Sequence, residues 1–215
     1  MSWRVRQSGL AVSERRALSD LLDQLGPDAP TLCVGWTTRD LAAHLVIRER
    51  RPDAAAGVVL PPLAGYTARV QHRKAQRPWR ELVEQIRNGP PWWSPMRLSP
   101  LAEKVDGIEF FVHHEDVRRA RPGWSPRPFD PRRADRLWTL LSRLAPLCYR
   151  NSPVGVVLRR PDGVQCLARR RARSVTVSGE PEELVLHAYG RDQGIVDFEG
   201  DQVDVTGLQG SRRGF

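Results

Sequence analysis

The sequence predicts an α+β protein with a helical domain over residues 1–150 and a small mixed domain over 151–215. Up to about residue 150, apolar residues recur at three- and four-residue spacing, the period of helices with one buried face. After Asn151-Ser152-Pro153 the texture changes to short β-branched runs separated by turn residues. Forty per cent of the 215 residues are hydrophobic and seven are Trp, enough to fill a core and to exclude global disorder.

The elements follow in order. Ser13 is a candidate cap for a first helix carrying Leu18, Leu21, Leu22 and Leu25, closed by Gly26-Pro27. Thr37, with Asp40 three residues later, resembles a capping box that opens a helix running to about Arg50, where Pro52 stops it. A third helical region spans Tyr66 to Asn88 and is interrupted at Pro78. Gly89-Pro90-Pro91-Trp92-Trp93-Ser94-Pro95 reads as an aromatic loop. Ser99-Pro100 starts a helix reaching about Ala120, and Asp130-Pro131 starts the last one, with Leu137, Leu140, Leu141 and Leu144 inside. Helices of this number and length make a bundle.

In the second part, Val154–Leu158 and Val164–Ala168 read as a hairpin around Pro161-Asp162-Gly163. Ser174–Val177 is a third strand, Glu180-Pro181 opens a short helix to about Tyr189, and Gly194–Val205 reads as a final strand pair around Gly200.

Composition narrows the function. No apolar run approaches the length of a membrane span and the first ten residues lack the core of a signal peptide, so a cytoplasmic, membrane-free protein is expected. Cys33, Cys148 and Cys166 are far apart and fit neither a disulfide framework nor a zinc knuckle. The formal charge of +9 is almost all arginine, since only Lys74 and Lys104 among the 34 basic residues are lysines. GC-rich codons favour that skew. No helix-turn-helix, zinc finger or aromatic RNA-binding signature accompanies the charge, so nucleic acid is not the expected partner. An anionic small substrate suits a basic surface equally well.

The chemistry concentrates on two helices. In GIEFFVHHEDVRRA, Glu109 and His113 stand at i, i+4 with Asp116 at i+7, all on one stripe. A carboxylate and an imidazole one turn apart can share one cation. His114 and Glu115 point about 100° and 200° further round and cannot join them. His44, mid-helix between Leu41 and Leu45, is the source of a third ligand. A bland reading stands beside this one. An interior histidine is more often a hydrogen-bonded core residue, and HHED before Arg118-Arg119 is also the pattern of a salt-bridged exposed face. Glu109 tips the balance, because Ile108 and Phe110 flank it and a buried carboxylate requires a cation.

These residues also carry a family resemblance. The segment GWTTRDLAAHLVIRERRPDA (Gly35 to Ala54), with GIEFFVHHEDVRRA, resembles the metal-binding actinobacterial branch of the DinB-like superfamily, neighbour to the mycothiol-dependent maleylpyruvate isomerases. Trp36, Asp40 and His44 match one motif of that family, and Glu109, His113 and Asp116 match the other. The stretch VTVSGEPEELVLHAYGRDQGIVDFEGD resembles the family's sterol-carrier-like domain. The resemblance implies a DinB-like four-helix bundle followed by a small sterol-carrier-like α+β domain. It implies His44, Glu109 and His113 as ligands of a divalent metal, zinc first, with nickel, manganese and iron(II) using the same donor set. It implies Asp116 as the residue that orients His113 or bonds a bound water, and Arg191 of Gly190-Arg191 as an arginine for a substrate carboxylate, with capping of a strand as its other reading. The function it implies is an enzyme that activates a low-molecular-weight thiol, mycothiol, for transfer to or isomerisation of an electrophilic small molecule.

Three departures separate this chain from the isomerases: the doubled His113-His114, a shortened C-terminal domain, and the loop at Trp92-Trp93. The alternative is therefore kept: a metal-binding protein without thiol chemistry, either a hydrolase using metal-bound water or a non-catalytic binding module. A fourth protein ligand such as His114 would favour a structural metal, whereas a basic pocket beside it would favour the thiol enzyme.

Overall fold

In a computed structural model the described residues are 9–55, 64–94 and 100–214. They fall into two compact units, divided between Pro126 and Arg127.

The first unit is helical. It holds α1 (Leu10–Leu25), α2 (Thr38–Arg50), the single turn α3 (Pro52–Ala55), α4 (Ala64–Ala75), α5 (Trp79–Asn88) and α6 (Pro100–Arg119). α1 lies along α6 and α5, while α2 packs on α4 and α5. Their apolar stripes meet in one core: Leu18 and Leu22 of α1, Leu41 and Leu45 of α2, Leu82 and Ile86 of α5, Phe110 and Val117 of α6. Gly107 of α6 faces Leu10 of α1. A Cβ built there would come within 3.2 Å of the Leu10 side chain, which would have to give by a few tenths of an ångström to admit it.

Helix ends follow local chemistry with one exception. Gly26 closes α1 in a left-handed conformation at φ 78°, its amide bonded to Leu22 O. Asp40 accepts from both the amide and the hydroxyl of Thr37, at 3.0 and 2.9 Å, as the capping box required. Pro78 separates α4 from α5, and Pro52 begins a new turn after α2 ends at Arg50. The exception is Ser13, which caps nothing. The helix begins at Leu10, and the Ser13 hydroxyl bonds back to Leu10 O from inside the first turn. The expected cap Ser99 and the loop residue Pro95 lie outside the described residues; Trp92 and Trp93, just before them, are exposed.

The second unit carries α7 (Pro131–Cys148), β1 (Gly155–Arg159), β2 (Gln165–Arg169), β3 (Ser174–Ser178), α8 (Pro181–Ala188), β4 (Asp197–Glu199) and α9 (Gln202–Gln209). The sheet order is β2-β1-β3-β4, with β1 antiparallel to β2, parallel to β3, and β4 antiparallel to β3. The parallel pair needs a crossover, which brings the chain from β2 back alongside β1.

Two expectations are corrected. The boundary lies at 126/127, not near residue 150, because α7 packs on α8 and β2 and so belongs to the sheet. The expected final strand pair is one strand and one helix. Asp201 accepts from the Val203 amide at 2.8 Å and starts α9, in which Val205 and Leu208 are buried while Val203 is exposed. That spacing is helical; the alternation of Val203 and Val205 only mimicked a strand. The α+β class itself holds. Among the described residues, no helix is long and apolar enough to cross a membrane.

Candidate metal centre

The capping box fixes where α2 begins, and Thr38 ties that start to the end of α1 through a bond from its hydroxyl to Gly26 O. His44 then sits between the fully buried Leu41 and Leu45, turned toward α6. On α6, Ile108, Phe110 and Phe111 are wholly buried and hold the helix in register against its neighbours.

Two imidazoles converge there on one carboxylate oxygen. Glu109 Oε1 lies 3.6 Å from His44 Nε2 and 3.3 Å from His113 Nε2. The three donor atoms all lie within 4.8 Å of one another. Ligands at zinc-type bond lengths of 2.0–2.1 Å in a tetrahedron stand about 3.3 Å apart, so this spacing suits one small dication. The imidazole rings meet edge to face, centroids 5.4 Å apart, and Trp36 covers the other side of His44 at 5.2 Å. His44 and Glu109 remain partly accessible to solvent, which leaves a way in for an ion and a further ligand.

Each group titrates as its surroundings dictate. Burial pushes His44 below its ordinary value, with Glu109 only partly offsetting it. Burial works to raise Glu109, yet the hydrogen bonds from His113 and His44, together with nearby Arg48, hold it well below the usual carboxylate range. Burial opposes a charge on His113 as well, and Asp116, Cys33 and Glu109 outweigh it, holding the ring well above its ordinary value in the ion-free protein. A carboxylate between two imidazoles, one carrying a proton, is an arrangement in which a dication can replace that proton.

Behind His113, its Nδ1 faces Asp116 Oδ2 at 2.9 Å, and Asp116 is fully buried. This is the carboxylate–histidine pairing that fixes which ring nitrogen is left for a metal. His114 and Glu115 point elsewhere, as the helical period demanded. His114 Nδ1 lies 3.0 Å from Glu14 Oε2, and Glu115 accepts from Arg118 and Arg119. The HHED run is therefore not a solvated face: all four residues are buried.

Arg191 sits in the second unit just after Gly190, and its guanidinium donates to Tyr189 O at 2.6 Å.

Two neighbours went unread in the sequence. Arg48 stands one turn after His44 on α2, with Nε 3.7 Å from Glu109 Oε1 and NH1 2.5 Å from Asp106 Oδ1. The i, i+4 spacing from His44 was a signal for it. Cys33 brings its Sγ to 3.3 Å from Asp116 Oδ2, and no local pattern announces that contact.

No family model and no curated protein matches the chain. Solved structures do. The crystal structure of a mycothiol-dependent maleylpyruvate isomerase superposes with a TM-score of 0.63 at 18% identity, over 89% of this chain and 91% of that one. A histidine-to-alanine mutant of that isomerase superposes at 0.61, with the same identity and coverage. At this identity the likeness establishes a related fold.

Proposed function

We propose that this chain is a metal-dependent enzyme of thiol chemistry, with His44, Glu109 and His113 as ligands of one divalent ion, zinc first. The observation that carries the reading is the convergence of two imidazole nitrogens on one half-buried carboxylate oxygen, 3.6 and 3.3 Å away, a spacing that suits one small dication. The fold likeness to mycothiol-dependent isomerases supports the choice of thiol over water as the ligand of the open position. It also supports reading the first unit as a DinB-like bundle and the second as sterol-carrier-like. His44, Glu109 and His113 would hold the dication, which would supply a Lewis acid that lowers the pKa of a low-molecular-weight thiol, mycothiol, for addition to an electrophilic small molecule.

The protein's own groups prepare that site. His44 is neutral through burial, so it offers a lone pair without first losing a proton. His113 keeps its proton on Nδ1 by donating to Asp116, which orients Nε2 toward Glu109. Arg48, itself paired with Asp106, adds to the hydrogen bonds from His113 and His44 that hold Glu109 well below the usual carboxylate range. Arg191 is proposed to bind a carboxylate of the thiol or its acceptor, as a bidentate guanidinium does. The reaction is placed in the cytoplasm.

The test is direct. Gently purified protein should carry about one divalent ion per chain. Cobalt-substituted protein should gain a sulfur-to-metal charge-transfer band in the near ultraviolet when mycothiol is added, and the band should weaken as pH falls, because protons compete for thiolate and imidazole. Metal bound without any such band at millimolar mycothiol would replace thiol chemistry with a hydrolase or a binding module. Absence of metal after dialysis against zinc, nickel or manganese would remove the centre itself.

A further inference from the structure

His113 offers its two ring nitrogens to two different sets of donors. Nε2 faces Glu109 and His44, and Nδ1 faces Asp116 and, beside it, Cys33. We propose that Cys33 Sγ, His113 Nδ1 and Asp116 Oδ2 form a second cation site, specific for a thiophilic divalent ion and mutually exclusive with the first. It shares His113 with the centre proposed above but uses neither His44 nor Glu109, so the two readings fail separately.

The donor atoms are already gathered. All three lie within 4.8 Å of one another, with sulfur 3.3 Å and nitrogen 2.9 Å from the same Asp116 oxygen. An ion with Zn–S near 2.3 Å and Zn–N and Zn–O near 2.0–2.1 Å sets its ligands about 3.3–3.6 Å apart, so only a small widening admits it. The sulfur is held in place by backbone. The Leu32 amide donates to Asp116 O at 3.0 Å, tying the loop to α6 across 84 positions of sequence. Around the cysteine, its own amide donates to Thr31 Oγ1, and the Trp36 amide closes a turn onto Cys33 O. His113 and Asp116 are buried and Cys33 is half-buried.

The shared imidazole makes the two sites exclusive. Its Nε2 lies 3.3 Å from Glu109 and its Nδ1 2.9 Å from Asp116. An ion at the first site takes the Nε2 lone pair and leaves the ring proton on Nδ1, donated to Asp116. An ion at the second site takes the Nδ1 lone pair, leaves the ring proton on Nε2, donated to Glu109, and releases the Cys33 thiol proton to solvent. No oxidant or reductant is involved. A neutral imidazole has one nitrogen free at a time, so one ion excludes the other. Softness decides between them. The oxygen–nitrogen set accepts zinc, manganese or iron(II), and the thiolate set selects cadmium-like ions. Occupation of the second site strips His44 and Glu109 of their third partner, which makes it inhibitory.

The experiment titrates ion-free full-length protein with cadmium and no added thiol. A thiolate-to-cadmium charge-transfer band should grow to one equivalent, and cobalt bound beforehand should be expelled. Cys33→Ser should abolish the band and weaken cadmium at least roughly 100-fold, beyond the loss that an outer partner causes, while cobalt still binds and circular dichroism is unchanged. Cys33→Ala serves as a second variant. His44→Ala should keep the band and lose cobalt, and Cys166→Ser should change neither. A band that survives Cys33→Ser, the absence of any band, or two ions bound at once would each overturn the proposal.

Discussion

The two units bury different things. In the first, α6 and its neighbours enclose ionisable groups in linked sets: Arg15 with Glu49, His114 with Glu14, Glu115 with Arg119, and the His113 cluster. In the second, the sheet and its helices enclose Val156, Leu158, Val175, Val177 and Leu184, with one buried histidine, His187, bonded to Tyr149 at 2.7 Å. Buried charge is costly unless it is paired, so a unit that spends its interior this way is built for a site rather than for maximum stability. The second unit has a larger apolar share, with Glu182, Glu183 and Asp204 buried at its helix starts beside His187. Chemistry and stability are therefore open to separate attack.

The largest effect is expected at the ligands. His44→Ala and His113→Ala should each weaken zinc by about a thousandfold or more, at least about 4 kcal/mol, as read by competition with a chelating dye. His114→Ala should hold zinc nearly as well as the parent, because its ring points to Glu14. If His114→Ala loses the ion and His113→Ala keeps it, the assigned face of α6 is the wrong one.

Next comes the charge behind the site. Glu115 and Arg119 are each about 1% exposed and bonded to one another. Glu115→Ala leaves a buried guanidinium without that partner and should cost about 3 kcal/mol or more in urea unfolding, with zinc retained. A loss within experimental error would mean that water reaches Arg119 readily.

Much of this was legible in advance, for reasons that also explain what was not. His44, Glu109 and His113 were readable because a helix converts spacing into direction: i, i+4 places two side chains on one face, and apolar neighbours turn that face inward. Asp116 followed from the same stripe. Cys33 was invisible because its meeting with Asp116 depends on a loop returning to α6, a long-range contact fixed by the Leu32 amide and encoded in no local pattern. The helix α7 was recognisable from Asp130-Pro131 and its leucines, but an amphipathic stripe does not say what it packs against. It was grouped with the bundle although it lies on the sheet. The same limit applied to α9, where two valines two apart fit either period until Asp201 capped the helix.

The third prediction turns on the buried histidine of the second unit. Burial, with Arg213 nearby, lowers His187 to about 3 from 6.5. A lowered histidine binds fewer protons folded than unfolded, so stability is present above the unfolded value and is lost as pH falls below it. Between pH 7 and pH 5 this group alone should remove about 2 kcal/mol, from 1.36 kcal/mol per pH unit below 6.5. His187→Gln, whose amide can still meet the Tyr149 hydroxyl, should flatten that dependence. A slope that persists in the variant would assign the acid sensitivity to other groups.

The smallest effect separates folding from metal binding most cleanly. Asp130 caps α7, its carboxylate accepting from the amides of Arg132 and Arg133 at 3.0 and 3.4 Å. Alanine there leaves first-turn amides to water alone and removes a negative charge from the positive end of the helix dipole, about 1 kcal/mol together. Asparagine keeps the acceptor and should recover most of the loss, since it caps as well as aspartate. Neither change touches a proposed ligand: His44, Glu109 and His113 all belong to the first unit, and their separations are set by α2 and α6. Asp130→Ala should therefore lower the unfolding midpoint while zinc affinity stays at the parent value. A parallel fall in zinc affinity would show that the folding of α7 is coupled to the geometry of the centre. The division of labour between the two units would then have to be given up.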